Sequence, residues 1–318
     1  MTQTQQTQQT DIIVYGSLNM DFVAYVERLP QTGETISTRT LHLIPGGKAA
    51  NQAVAASRLG SKVTMVGRVG DDDLGAKMKG FLEVDKVDHQ YVSLTAGSET
   101  GLSLIPVDRA GQNTIITHLG ANALLTKQDV DQSGPALKRA NIAIVQMEME
   151  QEVGEYIIAS AHQHQVKVIL NLAPVVPIRL ETLQTVDLLV VNETEASQLV
   201  NAGVDSIQTS MDAAEKLFDM GINNVVITLG DKGAVLKTHT SLVHYASPIV
   251  QAIDTTAAGD CFVGATAHFW TRDRDLESAI QKAIQVAALS VTRIGAQSSL
   301  PTMEEYLAFL SSLESDQL

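Results

Sequence analysis

Strand-like and helix-like segments alternate along nearly the whole chain, and this alternation narrows the fold more than any other feature of the sequence. Residues 11–16 (DIIVYG) read as a buried strand. Residues 47–60 read as a helix with Ala50, Ala53, Val54 and Ser57 on one stripe and Gly60 as its C-cap. The pattern continues through a strand at 62–68, a helix at 74–82, a strand at 142–146, a helix at 153–164 and a strand at 167–171. An apolar strand at 188–191 precedes a helix at 195–200, a helix at 211–220 and a strand at 224–228. Two or three helices follow Asp260. Apolar strands joined by helical crossovers predict an α/β fold: a doubly wound, mostly parallel, Rossmann-like sheet covered on both faces.

Two stretches break this rhythm. Residues 20–43 alternate apolar and polar without a helical period, with a turn at Pro30-Gln31-Thr32-Gly33. Residues 101–119 do the same around an Asp108-Arg109-Ala110-Gly111 turn between strands at 103–107 and 113–117. They predict a small antiparallel β lid beside the main sheet, with a face of its own to bury and therefore a homodimer through that lid. No internal repeat or long linker divides the chain, so residues 11–318 read as one domain with a lid. The Gln/Thr-rich residues 1–10 read as a disordered tail with no signal-peptide character.

Composition excludes several classes of partner. Asp and Glu number 36 against 22 Lys and Arg, a formal charge of −14, which repels a nucleic-acid backbone. Aromatics at 4% offer few base-stacking platforms. A phosphate-bearing ligand must then be small and held locally, by backbone dipoles and a metal ion, as a nucleotide–Mg²⁺ complex would be. The single cysteine, Cys261, rules out an internal disulfide and argues against zinc; without a neighbouring histidine it reads as a packing residue. No apolar run approaches the roughly 18 residues of a membrane span, so a cytoplasmic location is expected.

In doubly wound sheets ligands collect at the carboxyl ends of strands, and the polar groups of this chain fall there. Asp254-Thr255-Thr256-Ala257-Ala258-Gly259-Asp260-Cys261-Phe262 is a run of small residues that opens a helix. Its nearly bare N–H groups sit at the positive end of the helix dipole, and Asp260 sets a carboxylate beside them. A base next to an anion cradle suits phosphate transfer to a hydroxyl; the plain alternative is an acidic residue complementing the dipole.

Asn19 and Asp21 share a face of an extended segment and suit vicinal hydroxyls, or form a turn. Gly46-Gly47-Lys48 with Asn51 opens a helix and reads as a polyol-gripping loop, since the phosphate-loop spacing is absent, or as a plain strand–turn–helix with a solvated Lys48. Glu148 follows strand 142–146 as a hydroxyl acceptor or a loop charge. Asn192 with Glu195 is either a capping box or a seat for hydrated Mg²⁺. Thr228-Leu229-Gly230-Asp231-Lys232-Gly233 suits a nucleotide phosphate or a hairpin turn.

From Ile12 to Pro301 the chain resembles the ribokinase-like (PfkB-type) carbohydrate kinases. The resemblance rests on Gly16-Ser17-Leu18-Asn19-Met20-Asp21, Gly46 to Ala53, Gly120-Ala121-Asn122, Glu148, Asn192 to Glu195, Asp254 to Asp260, and Val291 to Gln297. It implies a ribokinase-like fold and an ATP-dependent kinase. Asp260 would deprotonate a primary hydroxyl of a sugar, ribose at its 5-position being the leading choice, and the N–H groups of Ala257, Ala258, Gly259 and Asp260 would hold the developing charge. Asn19, Asp21, Gly47, Lys48, Asn51 and Glu148 would hold the sugar. Asn192, Glu195, Thr228, Leu229, Gly230, Asp231, Lys232, Gly233, Gly259 and Ile284 would line the nucleotide and Mg²⁺ side.

A monovalent cation, K⁺, would sit behind the anion hole on Asp254, Thr256, Ser290, the Arg293 carbonyl, Gly295 and Ser299. Three departures from the family pattern bear on which sugar and nucleotide are taken rather than on the reaction. They are Ala49 for a third glycine, Asn171-Leu172-Ala173-Pro174, and Ile284 beside the adenine. Kinases for deoxyribose, a ketohexose or a nucleoside, and a non-catalytic sugar sensor, are the alternatives.

Overall fold

The computed structural model describes residues 10–38, 40–109 and 112–315. The expected tail at 1–9 and the tip of the 108–111 turn lie outside the described residues. Thr10 lies within them, buried and hydrogen-bonded to the Thr64 hydroxyl at 3.1 Å.

The strands in chain order are β1 (Ile12–Tyr15), β2 (Asn19–Tyr25), β3 (Thr40–Gly46), β4 (Val63–Gly70), β5 (Asp88–Thr95), β6 (Gly101–Val107) and β7 (Ile116–His118), followed by β8 (Ile142–Gln146), β9 (Lys167–Asn171), β10 (Leu188–Asn192), β11 (Val225–Thr228), β12 (Ala234–Lys237) and β13 (Leu242–Tyr245). Nine of them form one sheet in the order β13-β12-β11-β10-β9-β8-β1-β4-β5. All neighbours are parallel except at the β11–β12 and β12–β13 pairs. From β1 the chain proceeds outward through β4 and β5 on one side, then returns to β8 on the other. The order therefore reverses between β1 and β8, and the crevice beyond their carboxyl ends is where such a sheet receives a ligand.

Burial on both faces accounts for the apolar strands. Ile12 and Val14 of β1 point into a core with Ala53, Phe262 and Ile280, under the Lys48–Arg58, Ala258–Asp273 and Leu276–Ser290 helices. Ile13 and Tyr15 point into a second core with Ile157 and Leu217 of the Gln151–Gln163 and Ile207–Asp219 helices. Each such fully buried side chain is worth about 1.5–3 kcal/mol, which pins the crevice to a rigid frame.

β2, β3, β6 and β7 form the separate small sheet, ordered β3-β2-β6-β7. Its outer pairs are antiparallel, as the sequence predicts, while the central β2–β6 pair is parallel. Among the described residues no helix is long and apolar enough to cross a membrane.

Candidate active site

The acceptor half of the site grows from the end of β1. After Tyr15 the chain turns through Gly16-Ser17-Leu18 into β2, so Asn19 and Asp21 lie on one face of that strand and are both buried. Asn122 ties the turn together: its Nδ2 donates to Asn19 Oδ1 at 2.7 Å, and its Oδ1 accepts from the Leu18 N–H at 2.9 Å. Gly47 precedes the first turn of the Lys48–Arg58 helix at φ +88°, where a Cβ would fall 2.7 Å from the Ser17 carbonyl oxygen. Glycine there lets the helix start against the β1–β2 turn, which brings the Lys48 charge within reach of Asp21.

The charges of this half oppose one another. Burial pushes the Asp21 carboxyl up to about 6, and the nearby Glu148 and Asp260 add to the rise, against the Ser103 hydroxyl and Lys48. Burial disfavours the Lys48 ammonium, but Asp260, Glu148, Glu195 and Asp21 around it leave its pKa above the ordinary lysine value. Glu148 is half-buried rather than a free loop charge; it accepts from the Ser17 hydroxyl and, at 3.4 Å, from the Lys48 N–H. Asp21 Oδ1 and Asn51 Oδ1 are buried with no partner among the described residues. Such oxygens are costly unless a ligand supplies donors, and the hydroxyls of a small polyol do so.

Asp260 stands in the first turn of the Ala258–Asp273 helix. Asn51 Nδ2 donates to its Oδ2 at 2.9 Å and Gln52 Nε2 to its Oδ1 at 3.0 Å. Burial drives the carboxyl pKa up, and Lys48 and the two amides offset part of that rise. Ala257 caps the helix in the left-handed region, at φ +60°. Among the described residues the N–H groups of Ala257, Gly259 and Asp260 meet no acceptor, whereas that of Ala258 turns back to the Thr255 carbonyl at 3.2 Å. The cradle thus offers three free N–H groups of the four that the sequence marks. Cys261 is fully buried in the core, its thiol pushed up to about 12 by desolvation.

Three cavities meet at this turn, and Thr255 lines all three. One, of about 630 Å³, runs under the lid sheet past Asp21, Ile44 and Ile105 to Asp254 and Gly295. A small one of about 180 Å³ lies between Lys48, Asn192, Glu195, Thr228 and the Ala257–Asp260 turn. The third, about 340 Å³, is lined by Thr228, Gly230, Asp231, Gly233, Gly259 and Ile284, with Ile249 and Phe262 adding apolar walls. Of the residues that the resemblance assigns to a sugar, only Asp21 lines the first cavity, which also takes in Asp254, Thr256 and Gly295, while Lys48 and Asp260 line the small one.

Two of the residues assigned to the nucleotide side, Leu229 and Lys232, line neither of the two cavities that Thr228, Ala258 and Gly259 share. The Leu229 side chain is buried in the core, and the Lys232 ammonium pairs with Glu193 at 3.5 Å. Asn192 and Glu195 form the complete capping box, and burial raises the Glu195 carboxyl above the ordinary value. Glu195 Oε2 accepts from the Asn192 N–H at 2.8 Å.

The loops behind the cradle also converge. Asp254 Oδ1 accepts from the Thr256 N–H at 2.9 Å and hydroxyl at 2.6 Å, and its Oδ2 from the Gly295 N–H at 2.8 Å. Burial alone would raise the Asp254 carboxyl, yet these bonds hold it below the ordinary value. The Ser290 and Ser299 hydroxyls donate to the Ala287 and Ala296 carbonyls, both at 2.8 Å. The Arg293 guanidinium, a donor that cannot ligate a cation, pairs with Glu305 at 2.9 Å. Among the described residues no three His, Cys, Asp or Glu side chains are grouped to hold a metal ion. Of the set assigned to a monovalent cation, the bonds of Asp254 draw Thr256 and Gly295 together, and these three line one cavity, which Ser290, Arg293 and Ser299 do not line.

Sequence reasoning left Gln52, Gln146 and Asn171 without roles. Gln146 carried a signal: it is the one polar residue of the fully buried strand IAIVQ, and it sits at the carboxyl end.

The fold and this cleft are those of a sugar kinase, a phosphotransferase with an alcohol group as acceptor. A model of the pfkB family carbohydrate kinases matches residues 9–303, and the chain belongs to that family. It is 36% identical over 302 residues to a deoxyribokinase of Salmonella typhimurium, covering 95% of this chain and 99% of that one. It is also 36% identical over 299 residues to a ribokinase of Haemophilus influenzae, covering 94% and 98%. Among solved structures, a ribokinase of Arabidopsis thaliana complexed with ribose and ATP superposes with a TM-score of 0.87 at 30% identity, covering 95% of this chain and 99% of that one. A ribokinase of Thermotoga maritima superposes with a TM-score of 0.86 at 35% identity and the same coverage.

Proposed function

We propose that the protein transfers the γ-phosphoryl group of ATP to the 5-hydroxyl of D-ribose, giving D-ribose 5-phosphate and ADP. The observation that carries this reading is Asp260, a buried carboxylate held by two amides beside three free N–H groups, lining the small cavity that shares Thr255 with the two larger ones. Asp260 takes the proton of the sugar hydroxyl as its oxygen attacks phosphorus. The N–H groups of Ala257, Gly259 and Asp260, with the helix dipole and the Lys48 ammonium, stabilise charge building on the transferring group.

Asn19, Asp21, Asn51 and Glu148 orient the sugar, with Gly47 allowing close approach. Thr228, Gly230, Asp231, Gly233 and Ile284 line the nucleotide slot. Glu195, with Asn192, would hold hydrated Mg²⁺, which neutralises charge on the phosphate oxygens when bound. Asp254, Thr256, Ser290, Ser299 and the carbonyls of Arg293 and Gly295 would hold K⁺ and stiffen the loop that ends in the cradle. The lid sheet would pair with a second copy to give a homodimer.

A second acceptor, 2-deoxy-D-ribose, is favoured by the 36% identity to a deoxyribokinase. The test is a coupled assay of ADP release with ATP, Mg²⁺ and K⁺ across D-ribose, 2-deoxy-D-ribose, a ketohexose and adenosine. The proposal expects the highest kcat/KM for ribose. A strong preference for deoxyribose would move the assignment to that sugar, and a nucleoside preference or no turnover would overturn it.

A further inference from the structure

Gln52 follows Asn51 on the Lys48–Arg58 helix, is fully buried and lines none of the three cavities that meet at the cradle. Its amide is nonetheless fully engaged. Nε2 donates to Asp260 Oδ1 and to Asn171 Oδ1, each at 3.0 Å, while Oε1 accepts from Gln146 Nε2. Gln146 ends β8 at the reversal of strand order and is also fully buried. It fills the space beside Gly16, where a Cβ would lie 2.2 Å from Gln146 Oε1.

The sense of these bonds matters. A primary amide has one acceptor and one donor end. With its oxygen taken by Gln146, the Gln52 amide can only present its NH₂ group to the carboxylate; the flipped amide would set two acceptors together.

Resting on the reading of Asp260 as the base, we propose that Gln52 is a positioning residue whose amide, oriented by Gln146, holds the Asp260 carboxylate ionised and turned toward the acceptor hydroxyl. Asn51 alone fixes one carboxylate oxygen and leaves the other free to swing about it. Gln52 fixes the second from a buried position that lines none of the three cavities. The charged and titratable groups that face Asp260 are Lys48 from the same helix as Gln52, Glu148 beyond β8, Glu195 from the Glu193–Val200 helix, Asp21 from β2 and the neutral Cys261 thiol. Lys48 favours the ionised carboxylate, and the acids oppose it. Gln52 is neutral, so its removal alters the hydrogen bonding of Asp260 with every charge left in place.

The test uses Gln52→Met, which keeps length and loses the donor, and Gln146→Met, which frees the Gln52 oxygen. Aspartate is carboxyl-labelled with ¹³C, and the Asp260 resonance is identified by its loss in Asp260→Asn. The titration midpoint of Asp260 rises by about one pH unit in Gln52→Met and by less, in the same direction, in Gln146→Met. With D-ribose and ATP–Mg²⁺, kcat at neutral pH falls by at least about tenfold, KM for ribose stays within about twofold, and the acid limb of the profile moves up with the midpoint. An unchanged midpoint in both variants, or a raised KM with kcat retained, overturns the proposal. Should Gln52→Met not fold, Gln146→Met alone decides in the same way. The midpoint is read without turnover, so an inactive wild type would defeat the assigned reaction while the resonance still judges the role of Gln52.

Discussion

Two carboxylates in the cleft carry different burdens, and substitution to asparagine separates them. If Asp260 is the base of the proposed transfer, Asp260→Asn should lower kcat by about 10²–10⁴. Sugar affinity should persist, because Asn19, Asp21 and Glu148 still provide the pocket. Titration calorimetry beside the coupled assay checks both, and equal turnover by the two forms would remove Asp260 as base. Asp21 has a cost even at rest. Its pKa climbs from an ordinary 3.8 to about 6 in the fold, so the folded state holds its proton more tightly than the unfolded chain. Its contribution is therefore present below about pH 4 and is lost as pH rises to 6 and above. A rise of that size is worth up to about 3 kcal/mol. Asp21→Asn should raise the Tm of the sugar-free protein at pH 8 by several degrees, with a smaller gain at pH 4, while weakening sugar binding. An equal or lower Tm at pH 8 would mean that the carboxylate is not strained.

At the scale of elements, legibility followed the locality of the forces. β8 and β9 have the expected bounds because their apolar runs end at polar residues on the strand ends. The Ile207–Asp219 helix begins four residues before the expected 211, since Ser206 and Thr209 cap it with side-chain bonds that apolar periodicity does not register. β5 and β13 were not read as strands: DHQYVSLT and LVHY are half-exposed sheet edges without a continuous apolar run. The parallel β2–β6 pairing joins segments some eighty residues apart, and no local pattern reveals its direction. The cation loop is a similar long-range construction, Asp254 reaching Gly295 across 41 residues. If its hydroxyls and carbonyls hold K⁺, then K⁺ should raise kcat several-fold over Na⁺ or Li⁺, and Asp254→Ala should erase the difference. Activity indifferent to every monovalent ion would show the loop to be held by its own hydrogen bonds alone.

For the whole molecule, the lid sheet is the part whose outer surface is unfinished. Its registers align Leu43, Phe22, Leu104 and Ile116 in one row across all four strands, with Leu41 at 58% and Ile116 at 62% exposure. The opposite face, through Asp21, Ile44 and Ile105, lines the cavity of about 630 Å³ under the lid. The period-2 alternation of the sequence thus made the lid legible, but not what covers its far side. An apolar row spanning a four-stranded sheet is a hazard in a lone protein and an ordinary interface core in a symmetric pair. The molecule should sediment at twice its 34.1 kDa chain mass at micromolar concentration. The double variant Leu41→Glu with Ile116→Glu places charge on that outer face while sparing the cavity lining. It should sediment as a folded monomer with an unchanged far-ultraviolet spectrum. Its sugar KM should rise several-fold, because a lid without a partner behind it closes less firmly over the acceptor. Wild-type protein sedimenting at the single-chain mass throughout the micromolar range would exclude the pair, and the row would then need another cover.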